Sequence, residues 1–376
     1  MTAGAGDPLA AVRNLAAKVR RSVSAMPKRG VRLARRANRL REQATTFHAE
    51  WQIEREIAAV ARGRGPIVAG PWLSEVGFEV LYWIPFLRWF EDRYRVDRER
   101  VVAVSRGGVA AWYGDVAARY VETFDHLAPE DFSRRNRERH QREEAGGQKQ
   151  TTVGALDSDL IAVARQAMGI RAATVCHPSL MYRLFSQFWF GNRALDLVTS
   201  HTRYVPLTWT RPADLGLPER YIAAKFYSGA ALPDSPKSRG ALREIVRIAS
   251  TRMPVVMLDT GMRTDEHEDY LFRDMSNVVS LRERLAPSTN LGVQTGVIAG
   301  AQGFIGTCGS LAWLAPLLGV DTLAVFSEER FLVSHIYFAT QAYRRIGAAR
   351  FDTLDLRAVS ELNLLASAAP VAQGRS

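Results

Sequence analysis

Short apolar runs alternate with longer helical patterns along the chain from residue 65 onward. In the first half the apolar runs are residues 66–70, 100–104 and 172–176, and the helical patterns cover residues 78–94 and 157–168. Strands that alternate with helices indicate βαβ units, in which parallel strands form a sheet covered by helices. The first half is therefore predicted to contain one parallel sheet.

The same alternation returns after a proline-rich stretch. Pro206, Pro212 and Pro218 interrupt the periodicity, which indicates a linker at residues 206–218. The strands expected after it are 221–227, 254–259, 277–281, 303–306 and 322–326, and the helices are 238–250, 292–301 and 309–318. This pattern predicts a second parallel sheet.

The two sheets lead to a prediction of fold class and domain organisation. The predicted class is α/β, with two Rossmann-like parallel-sheet domains facing a cleft and a basic helical N-terminal arm. Its parts are the arm at 1–64, a first domain at 65–205, the linker at 206–218, a second domain at 219–330, and C-terminal helices with a tail at 331–376. Open α/β sheets bind ligands at the carboxyl ends of their strands, so the cleft is the expected site. The charged stretch 133–151 is expected to be a surface loop.

The net charge of +11 is concentrated in the arm, where residues 1–64 contain 14 Lys and Arg against 5 Asp and Glu. A nucleic-acid-binding domain usually carries its charge on a folded surface with recognisable motifs, so no nucleic-acid partner is expected. Attraction to an anionic membrane surface contributes about 1 kcal/mol per well-placed basic residue. A peripheral membrane contact and a solvated or oligomer-contacting arm both stay open.

Composition and motifs exclude several classes of protein. An apolar content of 47% and only two cysteines, Cys176 and Cys308, exclude a disordered chain and a disulfide-stapled miniprotein and favour a cytoplasmic protein. The uncharged residues 304–320 contain glycines and a proline, and are expected to form a strand, a loop and a buried helix rather than a membrane span. The sequence lacks a GxGxxG after the first strand of either half, a Walker sequence and a Gly-x-Ser-x-Gly, which disfavours NAD-binding, ATP-binding and α/β-hydrolase functions.

A turn of small residues, Thr307-Cys308-Gly309-Ser310, joins a predicted strand to a predicted helix. Backbone N–H groups at such a helix start, together with the helix dipole, favour an anion such as a phosphate. The alternative is that the glycines only permit a tight turn and close packing.

The same segment carries a resemblance to a known family. Residues 306–320, Gly-Thr-Cys-Gly-Ser-Leu-Ala-Trp-Leu-Ala-Pro-Leu-Leu-Gly-Val, followed by an apolar strand, resemble the donor-site segment of GT-B glycosyltransferases. The similarity is to the ADP-heptose heptosyltransferase type and to bacterial fucosyltransferase-like relatives, and the layout of residues 65–365 agrees with it. The resemblance implies inverting sugar transfer from a nucleotide-sugar donor, with no obligatory metal and no cofactor. The implied acceptor is a cell-envelope or capsular glycan, free or lipid-linked.

Such a reaction needs cations or N–H groups at the departing diphosphate and a base that deprotonates the acceptor hydroxyl. The expected donor-binding residues lie at strand ends and in the small-residue turn: Lys225, Tyr227, Ser228, Asp259, Thr307, Cys308, Gly309, Ser310 and Glu328. Arg106, in the turn after the second strand, is an expected acceptor or anion contact. The acidic run after Asp259 has no fixed ligand spacing, so it is expected to be solvated rather than to bind a metal.

Glu75 is the expected base, because it precedes the helix in a loop that opens toward the cleft and has apolar neighbours that could desolvate it. Glu79 is expected in the first turn of that helix, stabilised by the helix dipole. His177 is the competing base, and is otherwise a capping or core histidine. Two other functions fit the layout, a sugar-nucleotide epimerase and a non-catalytic scaffold that the arm holds at a membrane.

Overall fold

The computed structural model describes most of the chain after residue 45: residues 46–142, 150–191, 193–210, 215–262, 267–272, 274–330 and 332–361. By its contacts the chain divides into two units, Met1–Glu54 and Arg55–Ser376. Helix α1 covers residues 46–62. The rest of the predicted basic arm lies outside the described residues, so its helical character stays a prediction.

The first predicted parallel sheet is confirmed and has four strands. They are β1 (Ile67–Ala69), β2 (Val101–Ser105), β3 (Arg119–Glu122) and β4 (Thr174–Cys176), in the order β3-β2-β1-β4, with each neighbouring pair parallel. Strand β3 was not predicted, because its sequence Arg-Tyr-Val-Glu lacks an apolar run and its first two residues are only half-buried at the sheet edge. The register places Ser105 beside Glu122, so the carboxyl ends of β2 and β3 are level.

The helices of this half cover the sheet. They are α2 (Val76–Phe78), continued by a π-helical turn (Glu79–Trp83) into α3 (Ile84–Tyr94), then α4 (Pro129–Arg142), α5 (Ala155–Ala167), α6 (Pro178–Trp189) and α7 (Asp196–Ser200). Short 3-10 turns are Arg98–Arg100, Ala110–Tyr113 and Thr123–Asp125. The apolar pattern of residues 78–94 correctly predicted a buried element, since every side chain of the π-helical turn is buried.

The prediction of a surface loop at residues 133–151 is wrong for most of the residues that the structure describes there. Residues up to Arg142 belong to α4, and Phe132 is buried in a cluster with Leu73. Asn136 donates a hydrogen bond from Nδ2 to the carbonyl oxygen of Leu73, and Gln150 is buried. Tertiary contacts with the loop after β1 therefore order a segment whose composition alone is typical of a solvated loop.

The second predicted parallel sheet is also confirmed, and has six strands. They are β5 (Ile222–Lys225), β7 (Val255–Met257), β9 (Val278–Ser280), β10 (Gly303–Thr307), β11 (Thr322–Phe326) and β12 (Phe351–Asp355), in the order β12-β11-β10-β5-β7-β9. Strands β6 (Tyr227–Ser228) and β8 (Glu268–Asp269) form a separate antiparallel pair. The sheet extends to residue 355, since β12 pairs in parallel with β11. This last strand lies in the segment 331–376, which was expected to contain only helices and a tail.

The helices of the second half follow the predicted alternation. They are α8 (Pro236–Arg252), α9 (Asn290–Ala299), α10 (Ser310–Leu314), α11 (Val333–Ile346) and α12 (Leu356–Glu361), with 3-10 turns at Arg282–Arg284 and Ala315–Leu318. The segment 304–320 forms strand, turn and buried helix as predicted. Among the described helices, none is both long and apolar enough to cross a membrane.

Glycine contacts join the carboxyl ends of the two sheets. The N–H of Gly292, in α9, donates to the carbonyl oxygen of Gly107 at 2.8 Å, and a Cβ at Gly292 would lie 2.5 Å from the carbonyl oxygen of Gly108. A Cβ at Gly77, in α2, would lie 2.7 Å from the backbone nitrogen of Ser310. Any side chain at Gly292 or Gly77 would push the two halves apart. Glycine at these positions therefore allows the backbones of the two halves to touch.

Candidate functional site

A cavity lies where strands of both sheets end. From the first half it is lined by Val76, Arg106 and Phe124, which follow β1, β2 and β3. From the second half it is lined at the ends of β5, β7 and β10 by Lys225, Tyr227, Thr260 and Ser310. Its free space is about 640 Å³ including the open mouth, of which about 70 Å³ admits the centre of a water molecule. The expected site at the carboxyl ends of the strands thus coincides with a real cavity, and four predicted residues, Arg106, Lys225, Tyr227 and Ser310, line it.

Arg106 is a buried cation, with 4% of its surface exposed. Its guanidinium donates from Nη1 to the carbonyl oxygen of Trp72 at 3.1 Å and from Nη2 to that of Ser74 at 2.7 Å. The same group lies over the ring of Phe132, 5.2 Å from its centroid. Carbonyl oxygens satisfy its N–H groups without neutralising its charge, so Arg106 both fixes the loop after β1 and brings a positive charge to the cavity wall.

The turn that carries Arg106 is held by a carboxylate. Glu122 accepts hydrogen bonds from the N–H groups of Gly107 and Gly108 at 2.9 and 2.8 Å, and from that of Phe124 at 3.0 Å. Its Oε2 also accepts from the hydroxyl of Tyr120. The N–H groups of this glycine turn are therefore occupied by the protein itself rather than open to an external anion.

Lys225 is the second cation of the cavity, and it is paired. Its Nζ lies 2.7 Å from Oδ1 of Asp269 and donates to the carbonyl oxygen of Leu258 at 2.9 Å. Side-chain exposure is 12% for Lys225 and 13% for Asp269. Oδ2 of Asp269 accepts from the N–H of Thr260 at 2.8 Å, so the pair ties the loop after β7 to the end of β5.

The small-residue turn after β10 lies beside these groups, but two of its side chains serve the fold. The hydroxyl of Thr307 accepts from the N–H of Tyr227 at 3.0 Å and donates to the carbonyl oxygen of Tyr227 at 3.1 Å. Burial raises the pKa of the Cys308 thiol to about 12, so this group stays protonated. Ser310 is the member that lines the cavity.

Gly309 has φ 140° and ψ −171°, a conformation that only glycine adopts readily. A Cβ there would lie 2.6 Å from the hydroxyl oxygen of Tyr227. Since Gly77 of α2 covers the backbone of Ser310 on the other side, a phosphate could reach this turn only from the cavity or after the halves part.

Besides Thr307, Cys308 and Gly309 of the turn, three more predicted donor contacts are not among the residues that line the cavity. Asp259 is buried and accepts hydrogen bonds from the hydroxyl of Ser280 at 2.7 and 2.9 Å. The hydroxyl of Ser228 donates to the carbonyl oxygen of Glu268, and Oε1 of Glu328 accepts from the N–H of Arg330. The structure thus places these three side chains in local contacts.

Glu75 directly precedes α2 and is half-buried. Its side chain makes no capping hydrogen bond to that helix, and its carbonyl oxygen accepts from Nε1 of Trp72 at 3.2 Å. The next residue, Val76, lines the cavity. The predicted base is therefore next in sequence to a residue that lines the cavity, on the loop that Arg106 holds.

His177, the competing base, is buried and has partners on both ring nitrogens. Nδ1 accepts from the N–H of Ser179 at 3.1 Å, which caps α6, and Nε2 lies 2.8 Å from Oδ1 of Asp157. Burial acts to raise the pKa of Asp157, but the hydrogen bonds from His177, Gly154 N–H and Gln150 hold it below its usual value. The geometry is that of a capping histidine, the alternative the sequence left open.

Glu79 lies at the helix start as expected, as the first residue of the π-helical turn that continues α2, but it is completely buried. Its Oε1 accepts from the hydroxyl of Ser105 at 2.5 Å and from that of Tyr113. Burial raises the pKa of Glu79 to about 7, although the nearby charge of Arg106 and these two hydrogen bonds act to lower it. Desolvation, rather than the helix dipole, decides the protonation of this carboxyl.

We expect the free energy of unfolding to fall by about 3 kcal/mol on account of Glu79 as pH rises from about 4.5 to above 7. A carboxyl with a raised pKa in the folded state binds its proton more tightly there, so its stabilising contribution is complete below pH 4.5 and lost through pH 7. Denaturant unfolding at pH 5 and pH 8 measures the effect, and Glu79→Gln should abolish this component. The exposed Glu283→Gln is the control. The same pH dependence in wild type and Glu79→Gln would contradict the assignment.

Two amide side chains, Asn290 and Gln294, line the cavity from α9 and were missed by the sequence analysis. The available signal was a pair of amides four residues apart on an otherwise apolar helix, which places both on one face. Asp269 and His267 also line the cavity. No local pattern could have assigned Asp269, because its ion pair with Lys225 joins two distant segments.

A metal centre is not seen in the part of the chain that the structure describes, where no group of three or more His, Cys, Asp or Glu side chains could hold an ion. The acidic run considered above includes residues 263–266, which lie outside the described residues.

No protein-family model matches the sequence, and a search of curated proteins found no match. Among solved structures, the chain is similar to a family 9 glycosyltransferase from Veillonella parvula, with 11% identity and a TM-score of 0.37, covering 80% of this chain and 96% of that one. It is also similar to the E. coli heptosyltransferase WaaC solved with ADP, with 12% identity and a TM-score of 0.37, covering 79% of this chain and 98% of that one.

Epimerases are among the similar structures as well. A UDP-GlcNAc 2-epimerase from Methanocaldococcus jannaschii is 8% identical, with a TM-score of 0.30, covering 80% of this chain and 99% of that one. The matches thus include both enzyme classes that the sequence suggested, and similarity at this level assigns neither activity to this chain.

Proposed function

We propose that this protein is a glycosyltransferase that moves a sugar from a nucleotide-sugar donor to a hydroxyl acceptor. The observation that carries the proposal is that two cations, the buried Arg106 of the first half and the half-buried Lys225 of the second, line one cavity between the carboxyl ends of two parallel sheets. The resemblance of residues 306–320 to a donor-site segment agrees with this placement.

The charges of the cavity suit a departing diphosphate. Lys225 is balanced by Asp269, whereas Arg106 is bound by neutral carbonyl oxygens, so these three groups leave a net positive charge. Fixed cations aimed at the developing negative charge stabilise the transition state in a site that excludes water. Because Arg106 and Lys225 can themselves supply positive charge at the diphosphate, we propose a metal-independent reaction.

The proposed base is Glu75, on the loop after β1. This loop belongs to the first half, whereas the proposed diphosphate contacts, Lys225 and Ser310, belong to the second, which supports a base on the acceptor side. Attack by a deprotonated hydroxyl from the side opposite the leaving group gives inversion at the sugar carbon. We therefore propose an inverting mechanism, with a cell-envelope or capsular glycan as acceptor.

Donor binding requires the two halves to separate. Small-molecule sites usually provide about 300–1,000 Å³, whereas water-accessible space in this cavity is about 70 Å³. The glycine contacts between Gly292 and Gly107 and between Gly77 and Ser310 are the surfaces that must part. The structure described here is thus proposed to be a closed arrangement.

Replacement of Lys225 tests the proposal. Calorimetry should show that wild type binds a nucleoside diphosphate and that Lys225→Met binds it roughly 10- to 150-fold more weakly, the effect of one charge-assisted hydrogen bond. The matched control is Lys237→Met, at an exposed lysine in α8. Lys225→Met also leaves the carboxylate of Asp269 without its ion-pair partner, which is expected to lower stability. The double variant Lys225→Met/Asp269→Asn removes that unpaired charge, so it separates the effect on binding from the effect on folding.

The double variant should recover stability but not affinity, since it preserves the net charge of the pair and still lacks the phosphate contact. Affinity equal to wild type in the double variant would exclude a direct role for Lys225. No binding of any nucleoside diphosphate to wild type would contradict the proposed function itself.

The arm, residues 1–64, is proposed to hold the enzyme peripherally at the cytoplasmic face of an anionic membrane, near a lipid-linked acceptor. Sedimentation with vesicles containing anionic lipid should pellet the full chain at low salt and release it at high salt, because exposed charges are screened. A variant with the basic residues of 20–41 changed to glutamine should stay in solution. Equal sedimentation of both proteins would contradict the membrane role.

A further inference from the structure

The inner face of α9 presents an unusual pair of side chains to the cavity. Asn290 and Gln294 are 8% and 1% exposed, and both line the cavity together with Leu291. The other residues of this helix are apolar or small, apart from Thr295, whose hydroxyl donates a hydrogen bond to the carbonyl oxygen of Leu291. A buried amide needs hydrogen-bond partners for both its N–H groups and its oxygen, so a partner is expected for each polar atom of this pair.

The orientation of both amides is set by backbone oxygens. Nδ2 of Asn290 donates to the carbonyl oxygen of Pro287 at 2.7 Å, so Oδ1 is the end that accepts from Nε2 of Gln294 at 3.1 Å. Nε2 of Gln294 also lies 3.2 Å from the carbonyl oxygen of Asn290. Because a carbonyl oxygen only accepts, neither amide can be turned over without losing these contacts.

One atom then remains unsatisfied. Within the described part of the chain, Oε1 of Gln294 has no hydrogen-bond partner, although the residue is almost completely buried. Buried acceptors in native proteins are nearly always paired, and an exception on a cavity wall indicates a partner that comes from outside the chain. That partner must be a donor, since an amide oxygen only accepts.

We propose that Oε1 of Gln294 accepts a hydrogen bond from an N–H or O–H group of the bound nucleotide-sugar, and so selects donors that carry such a group at this position. The inference rests on the proposed function and adds a specificity-determining residue to it. A site built to pair with a ligand N–H or O–H rejects analogues that lack the group, because the buried oxygen is then left unpaired. The group is either an amino group of the base or a hydroxyl of the sugar.

The test compares ligand pairs rather than single affinities. Calorimetry on the full chain would use adenosine diphosphate against its analogue without the amino group, guanosine diphosphate against inosine diphosphate, and a nucleotide-sugar against its deoxysugar analogues. Wild type should prefer the ligand with the decisive group by roughly 5- to 100-fold, and Gln294→Leu should reduce that ratio to about 1. A ratio measured within one variant does not depend on how stable that variant is.

The pattern of loss identifies the group. Loss of discrimination among nucleoside diphosphates assigns Gln294 to the base, and loss only among deoxysugar analogues assigns it to the sugar. The melting temperature of Gln294→Leu should fall by several degrees, because the variant removes the unpaired Oε1 but also leaves Oδ1 of Asn290 without its donor. Gln341→Leu, at a half-buried glutamine of α11, is the control and should leave both ratios unchanged.

Two results would overturn the inference in distinguishable ways. If wild type binds nucleotides and Gln294→Leu keeps every ratio, Gln294 does not contact the ligand and the proposed function stands. If no nucleoside diphosphate or nucleotide-sugar binds wild type, the proposed function fails and the inference fails with it.

Discussion

Glu75→Gln should lower the rate of sugar transfer about 10²- to 10⁴-fold, the usual contribution of a positioned general base. Glutamine keeps the size and hydrogen bonding of the side chain but cannot take a proton. The affinity for a nucleoside diphosphate should change little, since its proposed contacts, Lys225 and Ser310, belong to the second half. Single-turnover transfer and nucleotide affinity are measured on the same preparation.

The matched variant for Glu75→Gln is His177→Ala. His177 caps α6 and pairs with Asp157, so its removal should lower the melting temperature and change transfer mainly through the fold. Transfer that persists in Glu75→Gln and disappears in a stably folded His177→Ala would reassign the base to His177.

Arg106→Met should lower the free energy of unfolding by about 3–6 kcal/mol, because two hydrogen bonds from a buried cation contribute about 1.5–3 kcal/mol each. Their acceptors, the carbonyl oxygens of Trp72 and Ser74, would be left without this donor. The same change removes a positive charge that acts to lower the pKa of Glu79. The loss of stability with rising pH should therefore move to higher pH in Arg106→Met.

Arg106→Lys separates the two roles of this residue. It retains the charge, so the pH dependence due to Glu79 should stay close to that of wild type, whereas the forked contact with two carbonyls is lost. Arg243→Gln, at an exposed arginine paired with Asp274, should change the free energy of unfolding little, because solvent screens an exposed ion pair. An Arg106→Met protein as stable as wild type would show that Arg106 does not anchor the loop.

The sequence predicted the architecture well where strands are buried on both faces. Strands β2 and β11, with uninterrupted apolar runs, were predicted close to their observed bounds. Edge strands β3 and β12 escaped prediction because the first two residues of β3 are only half-buried, no residue of β12 is fully buried, and both sequences mix polar with apolar residues. Helix α4 was mistaken for a loop because its burial depends on contacts with the distant loop after β1.

The sequence predicted cavity-lining residues where the topology alone positions them, and it did not predict contacts that depend on distant partners. Arg106 and Lys225 could be found because the carboxyl ends of parallel strands converge on one edge. The pairing of Lys225 with Asp269 and of Asp259 with Ser280 depends on loop conformations that no spacing encodes. The raised pKa of Glu79 likewise arises from burial in a π-helical turn, which a periodic pattern does not reveal.

The central claim, transfer from a nucleotide-sugar, is tested most directly by following the donor itself. Wild-type protein, a panel of nucleotide-sugars and candidate glycan acceptors would be incubated together, with nucleoside diphosphate release and the sugar product followed by NMR. We expect release of the nucleoside diphosphate coupled to a new glycosidic bond of inverted configuration, with both signals reduced in Glu75→Gln and Lys225→Met. A nucleotide-sugar converted to its epimer with the sugar–phosphate bond intact, or left unchanged with every acceptor, would contradict it.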